Sequence, residues 1–203
     1  MNYTTDAPSA LIIFIKNPVL GKVKTRLAAT VGKRKALDIY QQLLFHTHAI
    51  TRQLSCQKHL FYSHFIPTQP DNWENDRYQK QLQTPTPNLG KRMADAFEQV
   101  LKNATKVIII GSDCNQLSTN IIEQAFLQLD THDVVVGPAT DGGYYLLGMK
   151  KMHHLFFANK QWSTATVCAD TLNDCQKLAL SCYLLPTLSD VDTYQDWQNI
   201  CKN

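Results

Sequence analysis

The sequence predicts an α/β fold, in which helices cover a sheet of largely parallel strands. Strand-like and helix-like apolar segments alternate along the 203 residues, which is typical of such a sheet rather than of a bundle or a sandwich. The first apolar segment, residues 10–16, is continuous rather than alternating, as in a strand buried on both faces. No repeat, low-complexity tract or linker interrupts the pattern. We therefore expect a single domain over residues 1–203, with residues 1–9 disordered.

The elements of the N-terminal half follow from apolar spacing and capping residues. After the first strand and a loop, apolar residues at helical spacing predict a long helix over residues 33–54. Residues 58–63 predict a second strand. Residues 64–87 contain four prolines and predict irregular structure. Asn88 is then expected to cap a helix that runs to about residue 102.

The C-terminal half continues the alternation. Residues 106–111, KVIIIG, give the clearest strand, and Ser118 is expected to cap the helix after it. The remaining predicted elements are strands over residues 133–137, 144–149 and 183–188, a helix from Ser163 or Thr164 to about residue 180, and a short helix over residues 194–200.

The composition argues against several classes of protein. The formal net charge is only +3, without a basic tail or acidic block, so a nucleic-acid partner has no electrostatic support. No apolar run approaches the ~20 residues of a membrane helix, and the first residues lack a basic signal-peptide segment. We therefore expect a cytoplasmic protein without a membrane partner, whose oligomeric state is left open. The six cysteines show neither CxxC nor zinc-type spacing, and no disulfide framework is expected.

A group of cations follows the first predicted strand. Four cationic side chains lie within eleven residues: Lys16, Lys22, Lys24 and Arg26. Gly21 allows the backbone to approach a ligand closely, and Thr25 is expected to cap a short helix behind the loop. Distributed ammonium donors and a planar guanidinium suit a polyphosphate. The loop matches neither GxGxxG nor the P-loop, so a nicotinamide or flavin fold and a P-loop kinase are disfavoured.

Three later loops, each directly after a predicted strand, bring aspartates. They are GSDCN with Asp113, DGG with Asp141, and SDVDT with Asp190 and Asp192. In open α/β sheets the ligand lies outside the carboxyl ends of the strands, where such loops converge. Mg²⁺ prefers oxygen ligands and usually takes one or two carboxylates, the rest coming from water and substrate phosphate. Asp113 and Asp192 are therefore candidate ligands for Mg²⁺ or Mn²⁺.

The loop after the predicted strand 133–137 is rich in glycine. Gly142 and Gly143 would let a ligand approach the backbone closely, and Tyr144 or Tyr145 is a candidate ring for the acceptor pocket. Cys114 stands beside Asp113, but the sequence shows no base arranged to activate it, so we interpret this thiol as a neighbour of the metal site rather than a nucleophile.

Six segments carry a family resemblance: KNPVLGKVKTRLA, LGKRMADAF, GSDCNQL, GPATDGGYYLLG, QWST and SDVDT. In this order they resemble an uncharacterised bacterial family of radical-SAM/selenodomain-associated, glycosyltransferase-like transferases. That family is placed in the nucleotide-diphospho-sugar transferase (GT-A) superfamily, near the 2-phospholactate guanylyltransferases. The resemblance covers about residues 11–196. It implies a three-layer α/β/α fold with a mostly parallel mixed sheet, and a transferase activity.

The resemblance also implies roles for individual residues. The donor's phosphates would be held by Gly21, Lys22, Lys24 and Arg26. The nucleotide base would be met by Leu89, Gly90 and Arg92. The divalent cation would be bound by Asp113 and Asp192. The acceptor would be met by Asp141, Gly142, Gly143 and Tyr144.

Two reactions fit these predictions. In nucleotidyl transfer a small phosphorylated or hydroxylated acceptor attacks the α-phosphorus of a nucleoside triphosphate, and pyrophosphate leaves. In glycosyl transfer an acceptor hydroxyl attacks the sugar carbon of a nucleotide-sugar. The basic loop fits a pyrophosphate leaving group better, so the sequence favours nucleotidyl transfer, with Lys24, Arg26 and Asp113 as catalytic residues. A third hypothesis is a nucleotide-binding regulator that has the same site but no turnover.

Overall fold

The computed structural model describes residues 8–201. The strands are β1 Ser9–Ile15, β2 Gln57–Tyr62, β3 Gln79–Leu82, β4 Lys106–Ile110, β5 Val134–Pro138, β6 Tyr144–Met149 and β7 Cys182–Leu184. The helices are α1 Thr25–Val31, α2 Lys33–Arg52, α3 Leu89–Val100, α4 Thr119–Gln128, α5 Val167–Lys177 and α6 Tyr194–Cys201, with a 3₁₀ turn at His154–Phe156. Among these helices none combines the length and apolar character needed to cross a bilayer.

The strands of this part of the chain form one mixed sheet in the order β3-β2-β1-β4-β6-β5-β7. β6 runs antiparallel to both of its neighbours, and the remaining neighbouring pairs are parallel. The chain passes outward from β1 to β2 and β3, and then returns to place β4 on the other side of β1. This reversal creates a switch point at the carboxyl ends of β1 and β4, which is where ligands bind in open α/β sheets.

Helices cover both faces of the sheet, which explains the continuous apolar run of the first strand. Leu11 and Ile13 pack in one core with residues of α2 and α4, whereas Ala10 and Ile12 pack in a second core with residues of α3 and α5. All four side chains are fully buried. The predicted three-layer α/β/α arrangement with a mostly parallel sheet is confirmed.

Two capping predictions are also confirmed. The side-chain oxygen of Asn88 accepts a hydrogen bond from the backbone N–H of Lys91 at the start of α3, and Ser118 does the same for Ile121 at the start of α4. At α1, however, the capping position is held by Lys24 in a left-handed conformation, without a side-chain cap. Thr25 is therefore the first residue of that helix and not its cap.

Several boundaries differ from the sequence expectation. β3 lies within the stretch 64–87 that was expected to be irregular; its sequence, QKQL, lacks the apolar signal of a strand because it occupies the edge of the sheet. α5 begins at Val167 rather than at Ser163 or Thr164, since Ser163 has a φ of 64° that a helix does not allow.

The ends of the chain and of the last strand also differ. β7 ends at Leu184, and Leu188 forms only an isolated bridge with Ala139. Ser9, the last residue of the segment expected to be disordered, is the first residue of β1. Residues 1–7 lie outside the described part of the chain.

Candidate functional site

A cavity of about 740 Å³ opens at the carboxyl edge of β1 and β4, at the switch point of the sheet. Its wall includes most of the residues that the sequence singled out: Lys22, Lys24, Arg26, Leu89, Arg92, Asp113, Asp141, Gly143, Tyr144 and Asp192. Gly21, Gly90 and Gly142 do not contribute to the wall. The structure thus brings the basic loop, the aspartate loops and the start of α3 to one opening.

Charges of opposite sign meet at the mouth of this cavity. Lys24 Nζ lies 2.8 Å from Asp113 Oδ1 and 3.5 Å from Asp192 Oδ1. Arg26 NH1 lies 3.6 Å from Asp192 Oδ2. Lys24 is only 5% exposed, whereas Asp113 and Asp192 are 40% and 44% exposed. The basic loop after β1 is therefore joined to carboxylates from the loops after β4 and β7.

Backbone hydrogen bonds hold the aspartate loops together. The N–H of Val191 donates to the carbonyl of Asp113 at 2.9 Å, which fixes the last loop beside the one after β4. The N–H of Thr140 donates to the carbonyl of Leu188, also at 2.9 Å, and fixes the same loop beside the one after β5. Three segments that are distant in the sequence are thus fastened to one another.

Tyr40, on α2, positions the ends of β1 and β4. Its buried hydroxyl donates to the carbonyl of Lys16 at 3.0 Å and accepts from the N–H of the same residue at 2.8 Å. The hydroxyl also lies 3.3 Å from Ser112 Oγ, next to Asp113. Burial, and secondarily the charge of Asp113, raises the pKa of Tyr40, so this hydroxyl stays protonated as a structural donor.

Asp190 is a partly buried carboxyl within the acidic part of the site. Burial is the main cause that raises its pKa to about 7, and the charges of Asp113, Asp141 and Asp192 add to this, while Lys24 opposes it. Burial and Asp190 together raise the pKa of the Cys114 thiol to about 12. A thiol with that pKa is protonated at neutral pH, which fits the interpretation that Cys114 is not a nucleophile.

Asp113 and Asp192 fit a divalent cation by chemistry and position. Both carboxylates converge on the same ammonium group, and both reach the cavity. Over residues 8–201 no group of three or more His, Cys, Asp or Glu side chains is arranged to hold a metal. Two protein carboxylates, completed by water and substrate phosphate, is the ligand set that Mg²⁺ commonly takes, and Mn²⁺ favours the same oxygen ligands.

A second part of the cavity wall, on the side of α3, carries an oriented guanidinium. Arg92 NH1 donates to Gln83 Oε1 at 2.9 Å. Gln83 is almost fully buried, and its amide N–H groups donate to the carbonyls of Ile15 and Phe61. The Nε of Arg92 is buried and has no partner, and burial lowers the pKa of Arg92. The guanidinium of Arg92 is therefore held through NH1, and its Nε–H remains available as a hydrogen-bond donor.

Gly90 has a packing role beside this guanidinium. A Cβ at position 90 would lie 2.5 Å from the indole of Trp162, so only glycine lets that ring pack against the start of α3. Trp162 itself contributes to the cavity wall. The predicted contact of Gly90 with a ligand is thus replaced by an indirect role, because its place at the cavity is taken by the ring.

The glycine-rich loop after β5 is shaped by its own contacts. Asp141 Oδ1 accepts a hydrogen bond from the N–H of Gly143 at 2.8 Å. Gly142 has a φ of 87°, and a Cβ there would lie 2.1 Å from the carbonyl oxygen of Ala165. The carbonyl of Gly142 accepts from the N–H of Cys168 at 2.9 Å. This loop is thereby joined to the start of α5.

The sequence did not identify four residues of the site: Tyr40, Gln83, Trp162 and Asp190. Tyr40 follows the helical apolar spacing of α2, so the sequence pattern indicates an ordinary core residue. Gln83 lies in the stretch expected to be irregular. Asp190 was noted only as part of SDVDT. Trp162 had a signal, since QWST is one of the six segments that carry the family resemblance, but no chemistry in the sequence pointed to it.

The sequence and the fold are similar to those of known proteins. Residues 46–164 match the family described as "Uncharacterized protein conserved in bacteria (DUF2064)". No curated protein sequence matches the chain at a significant level. Among solved structures, a "putative nucleotide-diphospho-sugar transferase" from Desulfovibrio desulfuricans G20 is 29% identical, with a TM-score of 0.84 over 95% of this chain and 85% of that one.

Two more distant structures share the fold. The inositol-1-phosphate CTP transferase of T. maritima is 10% identical, with a TM-score of 0.61 over 94% of this chain and 91% of that one. Rv0371c of Mycobacterium tuberculosis H37Rv, in a complex with manganese, is 12% identical, with a TM-score of 0.57 over 97% and 99% of the two chains. The match to the structure from Desulfovibrio desulfuricans G20 confirms the predicted superfamily, and these two structures share its fold. The chain belongs to the bacterial family DUF2064 and has the fold of the nucleotide-diphospho-sugar transferases.

Proposed function

We propose that the protein is a Mg²⁺-dependent nucleotidyltransferase, which transfers a nucleotide from a nucleoside triphosphate to a small phosphorylated or hydroxylated acceptor and releases pyrophosphate. The observation that carries the proposal is the meeting of Lys24 and Arg26 with Asp113 and Asp192 at the mouth of a 740 Å³ cavity. The transferases among the structural neighbours support an enzyme of this class, and the inositol-1-phosphate CTP transferase supports nucleotidyl transfer in particular.

The cations of the first loop have the main catalytic role in this proposal. Lys24 and Arg26 neutralise charge on the triphosphate, and they stabilise the additional charge that develops on the departing pyrophosphate. Lys22, which also lines the cavity, extends the cationic surface along the phosphates. Asp113 and Asp192 hold Mg²⁺ or Mn²⁺, which supplies charge neutralisation and alignment of the phosphate oxygens when bound.

The remaining residues of the cavity wall would bind the nucleotide base and the acceptor. Arg92, oriented by Gln83, would meet the nucleotide base together with Leu89, and both line the cavity. Asp141, Gly143 and Tyr144 line the opening from the other loop and would meet the acceptor. Holding both substrates in one cavity supplies the proximity that makes the displacement effectively unimolecular.

Glycosyl transfer from a nucleotide-sugar is the second candidate. The relative from Desulfovibrio desulfuricans G20, whose description names a nucleotide-diphospho-sugar transferase, favours it. The same cations would then stabilise a nucleoside diphosphate as the leaving group. The basic loop, with its distributed donors, matches the greater charge of pyrophosphate better.

A ligand screen followed by product analysis tests the two candidates and the non-catalytic hypothesis. The melting temperature is measured with each of the four nucleoside triphosphates and with common nucleotide-sugars, in the presence of Mg²⁺ or a chelator. A chelator-sensitive shift with a triphosphate, followed by pyrophosphate release with a pool of phosphorylated metabolites, supports nucleotidyl transfer. A shift confined to a nucleotide-sugar supports glycosyl transfer. Binding without product formation for any acceptor supports a regulator, and absence of any shift contradicts all three.

A further inference from the structure

The ammonium group of Lys24 lies between the two carboxylates that the proposed function assigns to a divalent cation. Lys24 Nζ contacts the Oδ1 atoms of Asp113 and Asp192 at 2.8 and 3.5 Å. The lysine is nearly enclosed, while both carboxylates are about two-fifths exposed toward the cavity. The enclosed cation therefore neutralises the pair of acids and keeps them close together.

The other cation of the loop does not have this position. Arg26 NH1 contacts only Asp192, at 3.6 Å, and its side chain is 74% exposed. Exposed ion pairs of that kind contribute little, because water and salt screen them. Of the two, only Lys24 joins both carboxylates.

The backbone at Lys24 has an uncommon conformation. Its φ of 47° and ψ of 49° are left-handed, a conformation that costs a non-glycine residue of this kind free energy. The carbonyl of Lys24 accepts the hydrogen bond from the N–H of Ala28 that opens α1. Such conformations persist at sites where the surrounding structure determines them, and Lys24 is both the residue that precedes α1 and the partner of two carboxylates.

We propose that Lys24 is an exchangeable counterion: it pairs with Asp113 and Asp192 while no divalent cation is bound, and it moves to the phosphates of the nucleotide when one is. The inference rests on the proposed function of the site. The Oδ1 atoms that Lys24 contacts are atoms a cation shared by the two carboxylates would use, and two cations at that point would repel each other. A polyphosphate offers anionic oxygens to the released ammonium.

Exchange of this kind couples the two ligands. When the divalent cation or the nucleotide binds alone, the ion pairs of Lys24 with Asp113 and Asp192 must be broken without full replacement. When both bind, the carboxylates pair with the divalent cation and the ammonium group pairs with the phosphates. Mn²⁺ therefore raises the affinity for the nucleotide, and by thermodynamic reciprocity the nucleotide raises the affinity for Mn²⁺.

The test is Mn²⁺ binding to Lys24→Gln in the absence of nucleotide, measured by isothermal titration calorimetry. We expect about tenfold tighter binding than in the unaltered protein, the size of one charge-assisted contact that no longer has to be broken. Lys102→Gln makes the same change of charge in the turn before β4, at the opposite edge of the sheet. It should leave the Mn²⁺ affinity within about twofold, which separates the local exchange from a general electrostatic effect.

Equal or weaker Mn²⁺ binding by a folded Lys24→Gln variant overturns the inference. This measurement contains no nucleotide, so it tests the displacement of Lys24 independently of the proposed function. If the unaltered protein binds no nucleotide, the proposed function fails, but the Mn²⁺ result still stands.

If Lys24→Gln does not fold, the unaltered protein supplies the readout. Its lysines are ¹³C-methylated, and the Lys24 signal is assigned by its absence in Lys24→Arg. Under saturating Mg²⁺ that signal should move while the Lys102 signal stays in place, and a stationary Lys24 signal overturns the inference.

Discussion

At the level of single residues, Asp113 connects the basic loop with the last loop of the site. Its carboxylate pairs with Lys24, and its carbonyl accepts the hydrogen bond from Val191 that fastens the last loop. Substitution by asparagine keeps the size and the backbone contacts but removes the charge. We expect Asp113→Asn to fold and to lower turnover by roughly 10²–10³, the cost of one preorganised electrostatic partner. Pyrophosphate release and the melting temperature measure the two parts of this prediction.

A surface aspartate provides the matched control. Asp130→Asn removes the same charge after α4, where Asp130 pairs with Lys106. Its turnover should stay within about twofold of the unaltered protein, because exposed ion pairs contribute little. Full activity of Asp113→Asn would contradict a catalytic role for this carboxylate.

Arg92 provides the corresponding prediction at the far side of the cavity. Arg92→Lys keeps the positive charge but removes the planar group that Gln83 orients. We expect about ten- to a hundredfold weaker binding of the preferred nucleoside triphosphate, as for loss of a bidentate base contact. Binding of inorganic triphosphate, which has no base, should be unchanged. Equal weakening of both ligands in calorimetry would mean that Arg92 meets phosphate and not the base.

At the level of elements, the turn between β5 and β6 depends on one glycine. Gly142 has a positive φ, and a Cβ added there would lie only 2.1 Å from the carbonyl oxygen of Ala165. Gly142→Ala should therefore lower the free energy of unfolding by about 2 kcal/mol or more, since both strain and a clash are introduced. Gly111→Ala is the control, because a Cβ there meets nothing within 4 Å and no positive φ is required. Chemical denaturation should show the loss for position 142 alone.

The segment between β2 and β3 is held on α2 by an ionic contact with a pH dependence. His48 Nε2 lies 2.8 Å from Glu74 Oε2, and Arg52 Nε lies 3.0 Å from Glu74 Oε1. The hydrogen bond to His48, then a backbone hydrogen bond and then the charges of His48 and Arg52 lower the pKa of Glu74 from 4.5 to about 2. A carboxyl whose pKa is lowered in the folded state contributes stability above its unfolded value, and this contribution disappears as the pH falls toward the folded value.

This segment should therefore loosen between about pH 4.5 and pH 2. Trp73, whose ring packs edge-on against His48 at 5.2 Å, reports on the contact by its fluorescence. In a protein that retains only this tryptophan, the signal should change across that window. With Glu74→Gln the change should vanish, because no carboxyl titrates at that position. A transition of the same size in both proteins would assign the pH dependence to another group.

At the level of the whole molecule, the strands and the location of the site followed from the sequence for physical reasons. Residues 106–110 and 134–138 form buried strands and carry a continuous apolar signal. The loops after the parallel strands converge at the carboxyl edge, so Asp113 and Asp192 could be placed together before any coordinates. β3 could not be predicted, because an edge strand of polar residues has no such signal.

The residues that the sequence missed share another cause. Gln83 acts through a contact with Arg92 on the following helix, and Trp162 acts through a contact with Gly90, which is distant in the sequence. Such contacts depend on tertiary packing and leave no periodic pattern. The proposed metal ligands, by contrast, are aspartates, and a carboxylate after a strand can be recognised as a candidate ligand from the sequence alone.

The last prediction concerns the cooperativity of the fold. Both core clusters include residues of β1, β4 and β5, so neither can lose its packing without exposing strands of the other. We expect the chain to unfold as one unit, as small domains with a shared core usually do. The three tryptophans report from three places: Trp73 from the segment between β2 and β3, Trp162 from the cavity, and Trp197 from α6. In three variants that each retain one tryptophan, the melting transition measured by fluorescence should coincide with the one measured by far-ultraviolet circular dichroism.

Ligand binding extends this prediction to the unaltered protein. A nucleotide with Mg²⁺ at a hundredfold excess over its Kd adds about 2.7 kcal/mol to the stability of the folded state. For a chain of this length that corresponds to a rise in Tm of roughly 5–10 °C. Because the chain unfolds as one unit, the fluorescence and circular dichroism transitions should move together by the same amount. A ligand-induced shift seen by Trp162 alone would instead reveal a site that melts independently of the sheet, and would contradict a single cooperative domain.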